Sequence, residues 1–282
     1  MIEIVTSIAP LAAGTKAWFV DIWGVMHNGI APFDGAVEAC RTFRQHHDGI
    51  VILVSNAPRP NTAVQAQLDR IGVARQAYDA IVSSGDTSRA LIAALDGAPI
   101  FHLGPDRDLT LYDGLEVTIA SPAEAETIVC TGLFDDETQT PRDYLKALTA
   151  CAARNVPMIC ANPDLKVERG GKIIPCAGAV AALYQELGGK VAYAGKPHLP
   201  IYEATFALLN DLAGRPVAKS EILAIGDGVK TDIAGAAAAN IPSLYIASNV
   251  HLGGAPLTPQ SLTSLFPEAH GRPLAAMTSL SW

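Results

Sequence analysis

Short apolar runs of four to six residues recur along this chain, and stretches with helical periodicity separate them. AWFVDIWGV, IVILVSN, DAIVSS, PMICA, KVAYAG, EILAIGD and PSLYIAS read as strands. Helical patterns cover GAVEACRTFRQHH, about Asn61 to Arg70, DTSRALIAAL, AGAVAALYQELG, His198 to about Leu212, and TDIAGAAAAN. Strands this apolar, alternating with helices, imply a parallel sheet covered on both faces. The expected class is α/β, a doubly wound, Rossmann-like parallel sheet. Ligands of such sheets gather at the C-terminal ends of strands. That rule selects Asp21, Ser55 with Asn56, Lys196 and Asp227, each a polar residue where an apolar run stops.

The chain has 282 residues, 49% of them apolar, and mean hydropathy is +0.24, so a sizeable core is available to more than one domain. The middle segment, 85–189, has its own strand–helix alternation. The expected division is therefore 1–84 and 190–282 as one core, with 85–189 inserted as a second domain. A formal net charge of −8, without a basic run, argues against nucleic acid or an anionic membrane as partner. No apolar segment is long enough to span a bilayer. The N-terminus carries Glu3 and no basic region, a poor signal peptide. Five cysteines with no C-x-x-C pair read as buried thiols of a reducing compartment. The expectation is a soluble cytoplasmic protein.

GDGVKTD, residues 226–232, sets Asp227 at a strand end and Asp232 in the first turn of the next helix. A carboxylate at a helix start is favourable there without any ligand, so Asp232 alone has a purely structural reading. Asp21 and Asp227, from two different strand ends, suit a hard cation such as Mg²⁺, which takes one or two carboxylates and leaves room for a substrate phosphate. Lys196 adds a positive charge, and Ser55 with Asn56 adds donors. Together they would neutralise a phosphoryl group and let a carboxylate attack it. A dinucleotide fingerprint at Gly226-x-Gly228 fails on its third glycine, where Thr231 and Asp232 stand.

Asp21 with Gly24-Val25, Ser55-Asn56, Gly195-Lys196-Pro197 and GDGVKTD resemble, in order, the four motifs of the haloacid dehalogenase (HAD) superfamily. SSGDTSRAL, ANPD and PCAGAVAALYQELGGKVAYAGKPHLPIYEA resemble its NagD-like, class IIA branch, with an α/β cap between the second and third motifs. The resemblance covers nearly the whole chain. It implies a Mg²⁺-dependent phosphatase of a small phosphorylated metabolite. Asp21 would be the nucleophile that forms an aspartyl-phosphate and would also bind the metal. Asp227 and the main-chain carbonyl of Trp23 would complete the protein ligands, and Asp232 would orient the metal shell. Ser55 and Asn56 would hold phosphate oxygens, and Lys196 would steady both nucleophile and phosphate. The cap loop, with Asn162 and Asp164, would face the leaving group, and copies of the chain would associate, if at all, through the cap.

The departure is at Trp23. Phosphatases of the family usually carry a second Asp there, which protonates the leaving oxygen and then activates water. An indole N–H does neither, although a backbone carbonyl is indifferent to its side chain. His27 is the candidate substitute acid and base, against a plain packing role in the loop. His251 has the same two readings. Met26 and Trp18 read as packing, His46-His47 as solvent-facing helix-end residues, and Asp135-Asp136-Glu137 as a solvated loop. Two other functions stay open: a phospho-ligand binding or regulatory protein with little turnover, and a phosphotransferase passing the phosphoryl group to an acceptor other than water.

Overall fold

The computed structural model describes residues 2–169, 172–247, 252, 255–267 and 271–282. In chain order its strands are β1 (Glu3–Ile4), β2 (Ala17–Val20), β3 (Ile50–Ser55), β4 (Ala80–Ser83), β5 (Pro99–Leu103), β6 (Thr118–Ile119), β7 (Thr127–Cys130), β8 (Met158–Cys160), β9 (Lys166–Arg169), β10 (Lys172–Pro175), β11 (Val191–Tyr193), β12 (Ile222–Gly226), β13 (Ser243–Ile246) and β14 (Ala275–Met277). The α-helices used below are α1 (Ala9–Ala12), α2 (Asp34–His46), α3 (Asn61–Ile71), α4 (Ser84–Ala93), α5 (Leu145–Ala153), α6 (Ala177–Glu186), α7 (Leu199–Ala213), α8 (Ala234–Ala239) and α9 (Pro259–Leu265). The chain forms two compact units, one of residues 1–55, 65–82 and 196–282, the other of residues 56–64 and 83–195.

In the first unit seven strands lie in the order β1-β14-β13-β12-β2-β3-β4. β2 runs parallel to both β12 and β3. From β2 the chain steps outward through β3 and β4, then returns at β12 and steps the other way through β13 and β14. The order therefore reverses between β2 and β12, which is where a doubly wound sheet opens a crevice for ligand. Alternation along the strands builds a core on each face. Ala17, Phe19, Ile52, Val54 and Ala224 pack with Ile201, Tyr202 and Leu209 of α7 and Ala236 of α8. Trp18 points the opposite way and stacks on Phe43 of α2, ring centroids 3.9 Å apart. Trp18 and Met26 are fully buried, as packing residues should be.

The second unit holds a five-stranded sheet, β11-β8-β7-β5-β6, and the antiparallel pair β9–β10. Its larger sheet is parallel at the four pairings, again with a core on each face. Leu103, Cys130 and Met158 meet Leu148 of α5 and Tyr184 of α6 on one side. Ile100, Val129 and Ile159 meet Ile92 of α4 on the other. All five cysteines are buried thiols outside any disulfide. No helix among the described residues is long and apolar enough to cross a membrane.

One helix differs from its sequence reading. TDIAGAAAAN does not open as an α-helix: Val229–Ile233 form a wide π-type turn, and regular helix covers only Ala234–Ala239. The Asp232 carboxylate is drawn inward to Lys196 and to the Gly228 N–H, and a widened turn lets it reach both.

Candidate active site

Asp21 continues β2 by one residue, its N–H bonded to the Ile225 carbonyl at 2.8 Å. Strands β2 and β12 are neighbours, so Asp21 and Asp227 emerge side by side. A ligand oxygen from each of Asp21, Asp227 and Asp232 lies within 4.8 Å of the others. Lys196, at the start of the chain's return to the first unit, lies beneath them and is 3% exposed. Its ammonium donates to Asp21 Oδ1 at 2.6 Å, to Asp232 Oδ1 at 2.6 Å and to the Val54 carbonyl at 2.8 Å. An ammonium has only protons to give, and these bonds fix its charge in place beside the carboxylates.

Asp21 and Asp232 thus share one ammonium, with the Asp227 carboxylate beside them. Burial pushes the Asp21 carboxyl well up, and Asp232 adds to this while Lys196 opposes it. Burial also works against the Lys196 charge, but Asp21 and Asp232 outweigh it and hold the ammonium above its usual range. The clustering of three carboxylates and the all-oxygen donor set fit a hard divalent cation. Asp232 is tied on both oxygens, by Lys196 through Oδ1 and by the Gly228 N–H through Oδ2 at 2.9 Å. It braces the cluster.

Glycines let this cluster close. Gly24 sits at φ +88°, and a Cβ there would strike the Asp227 carboxylate. A Cβ on Gly226 would enter Asp232 in the same way. The loop from Ile22 to Phe33 folds on itself, with Gly24 N–H on the His27 carbonyl and Phe33 N–H on the Met26 carbonyl, both 2.9 Å. The Trp23 indole covers Gly29 (φ +90°), leaving no space for a Cβ, and meets the His27 ring edge-on at 5.2 Å. His27 is 1% exposed, and its Nδ1 accepts the Gly29 N–H at 2.8 Å. Burial brings its pKa down to about 4, so the imidazole is neutral near pH 7. His251 lies outside the described residues.

Ser55 ends β3, and Asn56 follows it, both buried. In the second unit the loop after Asn56 is held by the start of α4. Asp86 takes the Asn61 N–H on one oxygen and the Ser83 N–H on the other, both at 3.0 Å, while Ser83 Oγ donates to the Arg59 carbonyl at 2.7 Å. Asn56 Nδ2 donates to Asp164 Oδ1 at 3.0 Å, and Asn162 Oδ1 accepts the Asp164 N–H at 3.0 Å. Asp135 also proves to be locally engaged, taking the Glu137 N–H and the Thr138 hydroxyl within its own loop.

Two participants escape a reading of the sequence. The Val54 carbonyl is invisible because its role does not depend on the side chain. Tyr202, buried on α7, donates to the Asp232 carbonyl at 3.3 Å and packs under the Lys196–Asp232 pair. A polar-tipped aromatic on a helix's buried face, close after the lysine motif, is the signal that marks it.

Known proteins resemble the chain throughout. A haloacid dehalogenase-like hydrolase model matches residues 18–118, and a HAD-hydrolase-like model matches residues 193–261. A crystal structure of a hydrolase of the haloacid dehalogenase-like family from Brucella suis 1330 is 43% identical, with TM-score 0.87, over 98% of this chain and 99% of that one. The 4-nitrophenylphosphatase of Thermotoga maritima shares the fold, with TM-score 0.72 and 19% identity over 95% of this chain and 96% of its own. An acid sugar phosphatase of Staphylococcus saprophyticus is 22% identical over 83% of this chain and 87% of its length.

Proposed function

The chain belongs to the haloacid dehalogenase-like hydrolases, in their NagD-like class IIA branch, and on that premise we propose that it hydrolyses phosphate monoesters of small metabolites through an aspartyl-phosphate on Asp21. The observation that carries the reading is the meeting of Asp21, Asp227, Asp232 and Lys196 at the switch point of the sheet. A carboxylate locked this firmly beside a lysine is suited to attack, since its position is settled before substrate arrives. Sugar phosphates are the substrate class favoured by the acid sugar phosphatase relative.

Asp21, Asp227 and the Trp23 carbonyl are the groups that would hold Mg²⁺. When bound, the ion neutralises phosphoryl oxygens and so favours attack by an anion. Ser55 and Asn56 hold phosphate oxygens, and Lys196 keeps the Asp21 carboxylate in place. An Asp21 oxygen attacks phosphorus, the ester P–O bond breaks, and its electron pair leaves on the alcohol oxygen. Water then attacks the phosphorus of the aspartyl-phosphate, releasing phosphate and restoring Asp21. The α/β cap expected over 85–189 selects the leaving group.

A metabolite phosphatase screen with Mg²⁺, run beside Asp21→Asn, tests this directly. The wild type is expected to release phosphate and the variant to be inactive. Equal release by Asp21→Asn would remove the nucleophile from the scheme. Phosphate-ester binding without turnover in the wild type would favour the binding-protein alternative.

A further inference from the structure

Asn56 follows the strand-end hydroxyl of Ser55, and its side-chain amide is clamped on two sides. Nδ2 donates to Asp164 Oδ1 at 3.0 Å. Oδ1 lies over Gly195, where a Cβ would overlap it and would also stand 2.8 Å from Ser84 Oγ and from Pro163 Cδ. Asp164 is itself immobilised. Its N–H bonds to Asn162 Oδ1 at 3.0 Å, and its carbonyl accepts the Gly178 N–H at 3.1 Å. Gly178, in the first turn of α6, packs so closely on the Pro163 and Asp164 carbonyls that no side chain fits there.

The chemistry of the pair is directional. A carboxylate accepts hydrogen bonds and cannot donate them, whereas an amide has a donating and an accepting end. Rotating the Asn56 amide by half a turn would set its oxygen against the Asp164 carboxylate. Asp164 therefore selects one of the two amide orientations. A negative charge close to a residue that is to hold phosphate is otherwise unfavourable, which makes the acceptor role the reason for a carboxylate here.

We propose that Asp164 is a positioning residue, which acts through Asn56 to hold the phosphate-binding loop after Ser55 in its receptive form. This rests on the reading of Asn56 as a phosphate ligand given above. The ANPD turn then serves phosphate affinity rather than contact with the leaving group. The partner it senses is the phosphoryl group common to all substrates, so its effect is independent of which alcohol is attached.

Calorimetric titration with inorganic phosphate in the presence of Mg²⁺ tests this without requiring turnover. The proteins are wild type, Asp164→Ala, Asp164→Asn, Asn56→Ala and the Asn56→Ala/Asp164→Ala double variant. Asp164→Ala should weaken phosphate about tenfold, the size expected for a lost hydrogen bond to a charged group. Asp164→Asn, which keeps an acceptor oxygen, should stay within about threefold of wild type. The double variant should bind no more weakly than Asn56→Ala alone, as residues acting in series do. The Mg²⁺-induced rise in Tm should be the same in Asp164→Ala and wild type, which a general structural role of Asp164 would not leave intact. Should Asp164→Ala fail to fold, Asp164→Ser, too short to reach Asn56, replaces it. Additive losses in the double variant, or wild-type phosphate affinity in Asp164→Ala, overturn the proposal while leaving the phosphatase reading untouched. If Asn56→Ala itself binds phosphate as wild type does, the reading of Asn56 and the proposal fall together.

Discussion

At residue 23, where the resemblance implies a second Asp, the chain has Trp, and that side chain cannot move a proton. The indole is committed to covering Gly29, and the neighbouring His27 has Nδ1 occupied and a pKa of about 4. General acid–base catalysis contributes about 10²- to 10⁴-fold, and its loss weighs most on basic leaving groups. We therefore expect kcat/KM to fall steeply with leaving-group pKa, so that 4-nitrophenyl phosphate exceeds hexose phosphates. Trp23→Asp should narrow the gap. Equal rates on both substrates in the wild type would mean that another group supplies the proton, and His27→Ala would then be the first variant to assay. His27 also has a consequence for stability. Its folded pKa lies below the usual value of 6.5, so the unfolded chain takes up the proton first as pH falls. The stabilisation is complete above about pH 6.5 and is lost as pH drops toward 4, by up to about 3 kcal/mol. Denaturant melts of His27→Gln should show a smaller decline between pH 7 and 4.5 than wild type; an identical decline would assign the loss to other groups.

Among the elements, the two loops that follow β2 and β12 depend on glycine for contact rather than for flexibility. Asp227 occupies the space of a Gly24 side chain, and Gly24 also has a φ of +88° that other residues adopt at a cost. Gly24→Ala should therefore displace Asp227 and destabilise the fold by about 1–3 kcal/mol. Its Mg²⁺-induced Tm rise should largely vanish, and a variant with an unchanged rise would show that the loop tolerates a Cβ. The glycines were legible in the sequence as part of GDGVKTD and D-I-W-G, but the contacts they permit were not. Neither was the π-type turn at Val229–Ile233, because helical periodicity in TDIAGAAAAN says nothing of where Asp232 is drawn. The segment 85–189 read only as strand–helix alternation. Strand β5, PIFHL, opens on a proline and contains His102, and β7, TIVC, opens on Thr127, so each leaves an apolar run of only three residues or fewer to read.

For the whole molecule, the cluster of three carboxylates and one ammonium should make folding stability depend on a divalent cation. A ligand that binds only the folded state adds about 2.7 kcal/mol at a hundredfold excess over Kd. Mg²⁺ should raise the Tm of wild type and leave Asp227→Ala unmoved; a shift retained in that variant would place the cation elsewhere. The sequence by itself determined the α/β class and the four strand ends that carry polar chemistry, because buried parallel strands must be apolar and their ends are where polarity returns. Only the tertiary structure decided that β2 and β12 are neighbours at the reversal of strand order, and that Lys196 donates to Asp21, Asp232 and the Val54 carbonyl. It also decided that the amide of Asn56 answers to Asp164, 108 residues further along the chain. The physical reason is that hydropathy reports burial one residue at a time, whereas hydrogen-bond partners are set by how distant strands and turns come together.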